Sequence, residues 1–409
     1  MKFSRLIVAT LIAIATINSA WAQTVVHITG STAYRAAVYQ AISDILQPGF
    51  VFGYSGTTAS KASQAIYTGT TKTGSLPVII KTSFSGSVGG ISTLAANLTI
   101  GPGGSFTGGG GWLVDSTPQS TGGTPNAPAT YDPAVTADVA MADCFQASAP
   151  AMYRTPVLKD NFVGVVPFVF VATKGGTAIK GSVTTSTSIS AEQVADIFVE
   201  ANLKLSEFSG NSGDTEAVLG VGRDEDSGTR IQALACSGIG VETTLKQVQP
   251  VNNSTNTEIV SANPWPAVTL NGISYPQGDS GFSSGGTLAT EINLPHASTY
   301  STWFMSYLGI NDAATVTNGI QLEFAGVAYS AANVEGPGAS GFTAQYKYWG
   351  YEHLFYRTTF GGSGLTVAKQ LASDLTTTSA SISGILLSSM HVSRDKDGGA
   401  IEKGGKPGN

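Results

Sequence analysis

Within the nine residues Gly222-Arg223-Asp224-Glu225-Asp226-Ser227-Gly228-Thr229-Arg230, an arginine stands four positions before a Ser-Gly-Thr triplet. An apolar run, 217–221, leads in, and Ile231, Leu234 and Ala235 lead out at helical spacing, so the triplet should sit where a strand turns into a helix. The first amides of a helix lack intrahelical partners and lie at the positive end of its dipole. An oxyanion placed there gains several hydrogen bonds together. Ser227 and Thr229 add hydroxyl donors, and Gly228 lets the backbone come close to a ligand. Arg223 offers a planar fork that matches two oxygens of a tetrahedral anion. Taken alone, the stretch also reads as a capped helix with a solvated arginine, since such turns occur in many α/β proteins.

Two further stretches repeat the chemistry. The apolar residues 24–28 run into Thr29-Gly30-Ser31-Thr32, after which Val38, Ile42, Ile45 and Leu46 mark one face of a helix, so Ser31 and Thr32 occupy a second strand-to-helix turn. Residues 78–82 read as a strand, and Ser85-Gly86-Ser87-Val88-Gly89-Gly90 turns into a helix expected to begin at Ile91, with Ser87 presenting its hydroxyl and amide at the helix start. Asp138 to Asp143 reads as a short buried strand ending in an aspartate. Such a carboxylate is ordinarily a turn or cap residue, but it can also accept a proton-bearing ligand oxygen. Three hydroxyl-bearing turns of one kind suggest convergence on a single anion.

The elements that must position these turns are set in a chain of 409 residues with a distinct start. Lys2 and Arg5, the apolar stretch 6–17 and Ala20-Trp21-Ala22 read as a secretory signal peptide over 1–22, giving an exported chain beginning near Gln23, periplasmic or at the cell surface. Formal charge is −6; without Lys2 and Arg5, 19 basic side chains stand against 27 acidic, or −8. That balance argues against nucleic acid or an anionic membrane surface as partner. Charged residues make up only 12% and glycine reaches 50, so long polar loops are expected around the core. Cys144 and Cys236 form an even pair in an oxidising compartment, where a disulfide is one option.

Along the remainder, 98–133 is rich in Gly, Ser, Thr and Pro and reads as a long surface insertion, too poor in apolar surface to order fully, with Trp112, Leu113 and Val114 docking its middle; a lid over a cleft is the alternative. Residues 162–172, interrupted by Pro167, form the most continuous strand candidate. After the polar linker 174–188, Ser190 and Gln193 make a capping box ahead of Val194, Ile197 and Phe198. Ser283 to Thr287 leads into a further helix, and 300–308 reads as a buried aromatic strand. The aromatic cluster around Trp349-Gly350-Tyr351-Glu352-His353 suits packing between lobes or, alternatively, stacking on a sugar. Val367, Leu371 and Leu375 mark a closing helix, and the chain from Arg394 reads as a polar tail.

The ordered set resembles the substrate-binding protein of the high-affinity phosphate ABC transporters, of the type II periplasmic-binding fold. The resemblance is carried by Gly30-Ser31-Thr32-Ala33-Tyr34, Gly86-Ser87-Val88-Gly89-Gly90, the strand ending at Asp143, the Pro167 strand, Ser190-Ala191-Glu192-Gln193-Val194-Ala195-Asp196-Ile197-Phe198, and Arg223 to Thr229. It implies an α/β chain of two lobes, each a mixed sheet flanked by helices, with the ligand cleft between them. The first lobe is expected over 23–163, containing the insertion, and the second over 164–354. Residues 355–409 return to the first lobe and end in the tail.

By position, the resemblance implicates Ser31, Thr32, Ala33, Ser87, Asp143, Arg223, Ser227, Gly228 and Thr229 in holding inorganic phosphate. It implies a monomer that serves an ABC permease and needs no cofactor or metal. Three departures stand out: Ala33 where a hydroxyl residue is usual, Asp226 directly before Ser-Gly-Thr, and the glycine-rich insertion ahead of Asp143. They motivate a rival in which the same fold takes another oxyanion or scavenges phosphate outside transport. An enzyme using Ser227 or Ser87 is a third class. No Gly-x-Ser-x-Gly surrounds either serine, and neither His27, His296, His353 and His391 nor the cysteines have metal-ligand spacing, so no catalysis is expected.

Overall fold

The computed structural model describes residues 23–127, 130–173 and 188–404. The expected signal peptide, 174–187 of the polar linker and the last five residues lie outside these. Eleven strands and five helices position the site. The apolar run after Gln23 forms β1 (Thr24–Gly30), and α1 (Arg35–Ile45) buries Ala37, Val38, Ala41, Ile42 and Ile45, the face its spacing marks. β2 (Val51–Ser55) and β3 (Gln64–Thr70) make an antiparallel pair, β3 continues antiparallel to β4 (Pro77–Ser83), and β4 lies parallel to β1. After β4 comes α2 (Ser87–Ala95). β5 (Thr124–Asn126) adds parallel to β2, and β6 (Val139–Ala142), buried throughout, adds parallel to β1.

The second half is built from β7 (Lys159–Thr173), β8 (Ala217–Gly220), α3 (Gly228–Cys236), α4 (Gly285–Ile292), β9 (Trp303–Gly309), β10 (Gly319–Phe324) and β11 (Trp349–Tyr356), and α5 (Gly362–Asp374) packs back on α1. The strand order β8-β9-β7-β11-β6-β1-β4-β3-β2-β5 forms the spine of a mixed sheet with 13 strands among the described residues. β7 connects the halves. Its residues up to Pro167 pair antiparallel with β11, and from Phe168 onward it pairs with β9 and β10. Proline has no amide to donate, so the ladder with β11 ends there and the strand changes partners without leaving a donor unpaired. The result is the two-lobed α/β arrangement with helices against a mixed sheet.

The insertion differs from expectation. Trp112 and Leu113 dock its middle as read, fully buried, but the segment is packed beyond them: Phe106 is nearly buried as well, and β5 extends the sheet edge. Lys81, buried on β4, is neutralised by Asp132 and by Asp115 at 2.6 Å, both from the insertion. Mean composition misses this because three apolar anchors and two carboxylates fix a glycine-rich segment that its average hydrophobicity would leave free. Thr107 also exchanges hydrogen bonds with Asn271 across to the other half, Oγ1 and the amide each donating to Asn271 Oδ1 (3.1 and 3.0 Å).

The tail is a second correction. Arg394 is buried with its guanidinium 3.9 Å over the Trp349 ring, and Asp397 accepts from the Phe145 amide at 2.9 Å. The aromatic residues 346–355 are core, not an exposed stacking surface: Tyr346, Tyr348, Trp349 and Tyr351 are all sealed from solvent. The capping box of Ser190 and Gln193 forms as read, over the helical turn Ala191–Ala195. No helix among the described residues is long and apolar enough to cross a membrane.

Candidate anion-binding site

The three turns converge where the two halves meet. Gly30 O, at the end of β1, accepts from Gly86 N at 2.9 Å, and Ser31 N donates to Met141 O of β6 at 2.8 Å. Gly86 has φ of +115°, and a β-carbon there would run into the backbone of Asp226, so this position admits only glycine. The approach lets Asp226 O cap α2, accepting from Val88 N (2.9 Å) and Gly89 N (3.4 Å). α2 therefore begins at Ser87, not at Ile91. Local propensity disfavours a helix start so rich in glycine, and the tertiary cap overrides it.

Around Asp143 the structure gathers Ser87, Gly228 and Thr229. Ser87 Oγ donates to Asp143 Oδ1 at 2.5 Å, Thr229 Oγ1 reaches Oδ2 at 3.4 Å, and the Asp143 amide donates to Ser87 Oγ at 3.2 Å. Gly228, the first residue of α3, lies against them, and a β-carbon there would overlap Asp143 Oδ1 and come within 2.7 Å of Ser87 Oγ. The amides of Gly228 and Thr229 donate to no described residue. Ser227 is the helix cap, its Oγ accepting from Arg230 N at 3.2 Å. A carboxylate thus already lies among hydroxyl donors at a helix N-terminus, the chemistry an oxyanion would use.

Arg223 and Thr32 form the other part. Arg223 is 2% exposed and follows β8; its Nη2 donates to Thr32 Oγ1 (3.2 Å) and Ser283 O (3.0 Å), and its Nε to Phe282 O (2.9 Å). No described carboxylate lies within 4 Å of it. Ala33 is half-buried beside Thr32 and lines a cavity of about 190 Å³ with Thr32, Arg35, Lys61 and Asp312. Ser31 stands apart from both parts. Its buried Oγ makes no hydrogen bond of good geometry, although it lies near enough to Glu352 to favour that group's charged form.

The surrounding charges are arranged by burial. Asp143 is raised above the usual carboxylate range, first by burial, with the Ser87 hydrogen bond and the Arg223 charge pulling it back. Glu352, fully buried on β11, is raised well above its ordinary value by burial and then by Asp143. Gln232 of α3 ties the Asp143 carbonyl (2.8 Å) to the Asp397 carboxylate (2.5 Å). Sequence reading missed Glu352, Gln232 and Asp397. A glutamate inside an aromatic strand was the available signal for the first; nothing in the sequence marks the other two.

The loop between Arg223 and Ser227 is acidic and enclosed. Asp226 faces the insertion at Gly108 and is raised well above its ordinary value, chiefly by burial. Asp224 is half-buried as a residue, with Oδ1 sealed and unpaired; burial pushes it up to about 7, against the Arg223 charge. A carboxyl raised in the folded state binds a proton that the unfolded chain has already lost. Its contribution to stability is full below about pH 4, falls as pH rises, and is lost through about pH 7. Asp224→Asn is accordingly expected to flatten the fall in melting temperature between about pH 4 and pH 7, read as the difference from wild type at each pH. Cys144 and Cys236 are both free thiols, so the disulfide option is not taken.

Fold and site together define a two-lobed α/β protein with anion donors collected at the junction of its lobes. No family model matches the chain, and no curated protein matches it. Among solved structures, it is similar to an ABC-type phosphate transport receptor from Vibrio cholerae, at 12% identity, covering 88% of this chain and 99% of that one with a TM-score of 0.47. A high-affinity periplasmic phosphate-binding protein bound with phosphate is similar at 15% identity, with 89% and 90% covered and a TM-score of 0.46. A human phosphate-binding apolipoprotein is similar at 13% identity, with 87% of each chain covered and a TM-score of 0.44. At these identities a ligand does not transfer from one chain to another, and the residues of this site have to carry that inference themselves.

Proposed function

We propose that this chain is an exported solute-binding protein that takes inorganic phosphate between its lobes for delivery to a membrane permease. The lobes are assigned as 23–163 with 355–409, and 164–354. The observation that carries the reading is Arg223: a guanidinium 2% exposed, without a described carboxylate in ion-pair range, beside the hydroxyl of Thr32. A buried charge with no direct ion pair is costly, Asp143, Asp224 and Asp312 acting on it only at longer range, and an exogenous anion supplies the contact. The unpaired amides of Gly228 and Thr229, with the hydroxyls of Ser87 and Thr229 once they turn from Asp143, complete a donor set suited to a tetrahedral oxyanion. His27 and His353 are turned to Asp138 and Asp160 rather than to these serines.

Asp143 supplies selectivity. An ionised carboxylate at the anion accepts a proton-bearing oxygen, which monohydrogen phosphate has and sulfate lacks. Calorimetric titration near pH 8 is expected to show one-to-one binding of phosphate and none of sulfate. Asp143→Asn, which presents an amide donor instead, should admit sulfate. Because burial raises Asp143, acidification should move the wild type in the same direction. Absence of heat with phosphate in a folded protein would remove this reading.

A further inference from the structure

We propose that the cavity at the start of α1 is a second anion position, and that the preferred ligand is a condensed phosphate of the diphosphate type. The proposal rests on the phosphate reading, with one phosphoryl group at Arg223 and the other in the cavity.

The cavity, about 190 Å³, lies at the N-terminus of an eleven-residue helix whose N-cap residue, Tyr34, gives no side-chain cap and whose Ala37 amide alone in the first turn is taken by a side chain, Ser383 Oγ at 3.2 Å. The amides of Arg35 and Ala36 donate to no described residue, so the positive end of α1 is open to the space they line. Arg35 is 7% exposed. Its Nη1 donates to Ser63 Oγ at 3.2 Å, its buried Nε has no partner, and no described carboxylate lies within 4 Å. Lys61 adds a second cation to the lining, and it too is in no ion pair with a described residue. This is a buried guanidinium in no direct ion pair, at a place distinct from Arg223, with Asp312 as the acid that acts on it.

Asp312 is the acid in the lining, and its one carboxylate is shared, at longer than ion-pair range, among Arg223, Arg35 and Lys61. Three cations and a helix terminus against that one carboxylate leave net attraction for an anion. Thr32 joins the two positions, since its Oγ1 accepts from Arg223 Nη2 while the residue lines the cavity. Neighbouring positions that share one residue suit two phosphoryl groups sharing one bridging oxygen. A single phosphate would leave either Arg223 or Arg35 without its anion.

The test is calorimetric titration of the purified, ligand-stripped protein with inorganic phosphate and separately with pyrophosphate, for wild type, Arg35→Gln and Lys61→Gln. Pyrophosphate is expected to bind at least about tenfold tighter than phosphate in the wild type, the gain from one additional charge-assisted contact. Each variant should lose more affinity for pyrophosphate than for phosphate, bringing the ratio towards one. Lys61→Gln keeps the test decisive if the buried Arg35 variant fails to fold. Phosphate binding with no preference for pyrophosphate would overturn the second position while leaving the first. No binding of either anion by the folded protein would overturn both.

Discussion

Arg223→Ala is expected to reduce phosphate affinity by at least about a hundredfold. The guanidinium is enclosed, so each hydrogen bond it gives an anion contributes on the order of 1.5–3 kcal/mol, and two such bonds correspond to about two to four powers of ten. The same side chain holds Phe282 O and Ser283 O, which brings the segment before α4 to the site, so the variant should also lose stability. Arg223→Lys separates these effects. It retains the charge but cannot reproduce the planar fork, and it should recover some affinity without reaching wild type. Titration calorimetry with a melting curve for each variant reads both. An unchanged affinity in folded Arg223→Ala would remove Arg223 from the site.

Gly228→Ala is expected to damage fold and site together. The added carbon falls on Asp143 Oδ1 and near Ser87 Oγ, in a contact where two helix starts and the end of β6 already touch. Relief requires α3 to move away from β6, which separates Thr229 from Asp143. Overpacking of this kind costs about 1–3 kcal/mol, and here the displaced groups are the donors themselves. Urea unfolding should show the loss, and phosphate should no longer raise the melting temperature. Gly286→Ala is the matched control: its β-carbon would meet only Asp312 Oδ1, at 3.6 Å, an ordinary contact, and stability should change little.

Much of the local architecture was legible in the chain. β1, β4, β7 and the α1 face were readable because apolar periodicity is a short-range signal and these elements bury what they display. The hydroxyl and glycine turns were readable for the same reason, as strand-to-helix punctuation. The start of α2 was misplaced because its cap, Asp226 O, comes from a loop more than a hundred residues later. The insertion and the tail were misjudged because burial of Phe106, Lys81, Arg394 and Asp397 depends on partners elsewhere in the chain.

The sequence by itself determined the types of the site residues and the turns that carry them. Only the tertiary structure decided that Ser87, Asp143, Gly228 and Thr229 touch, that Arg223 meets Thr32, and that Arg35, an unremarked helix residue in the sequence, is a buried cation with no direct ion pair among the described residues. The reason is physical. Hydrogen-bonding capacity belongs to a residue type and can be read one position at a time, whereas burial and the presence of a counter-charge are properties of what the rest of the chain brings alongside.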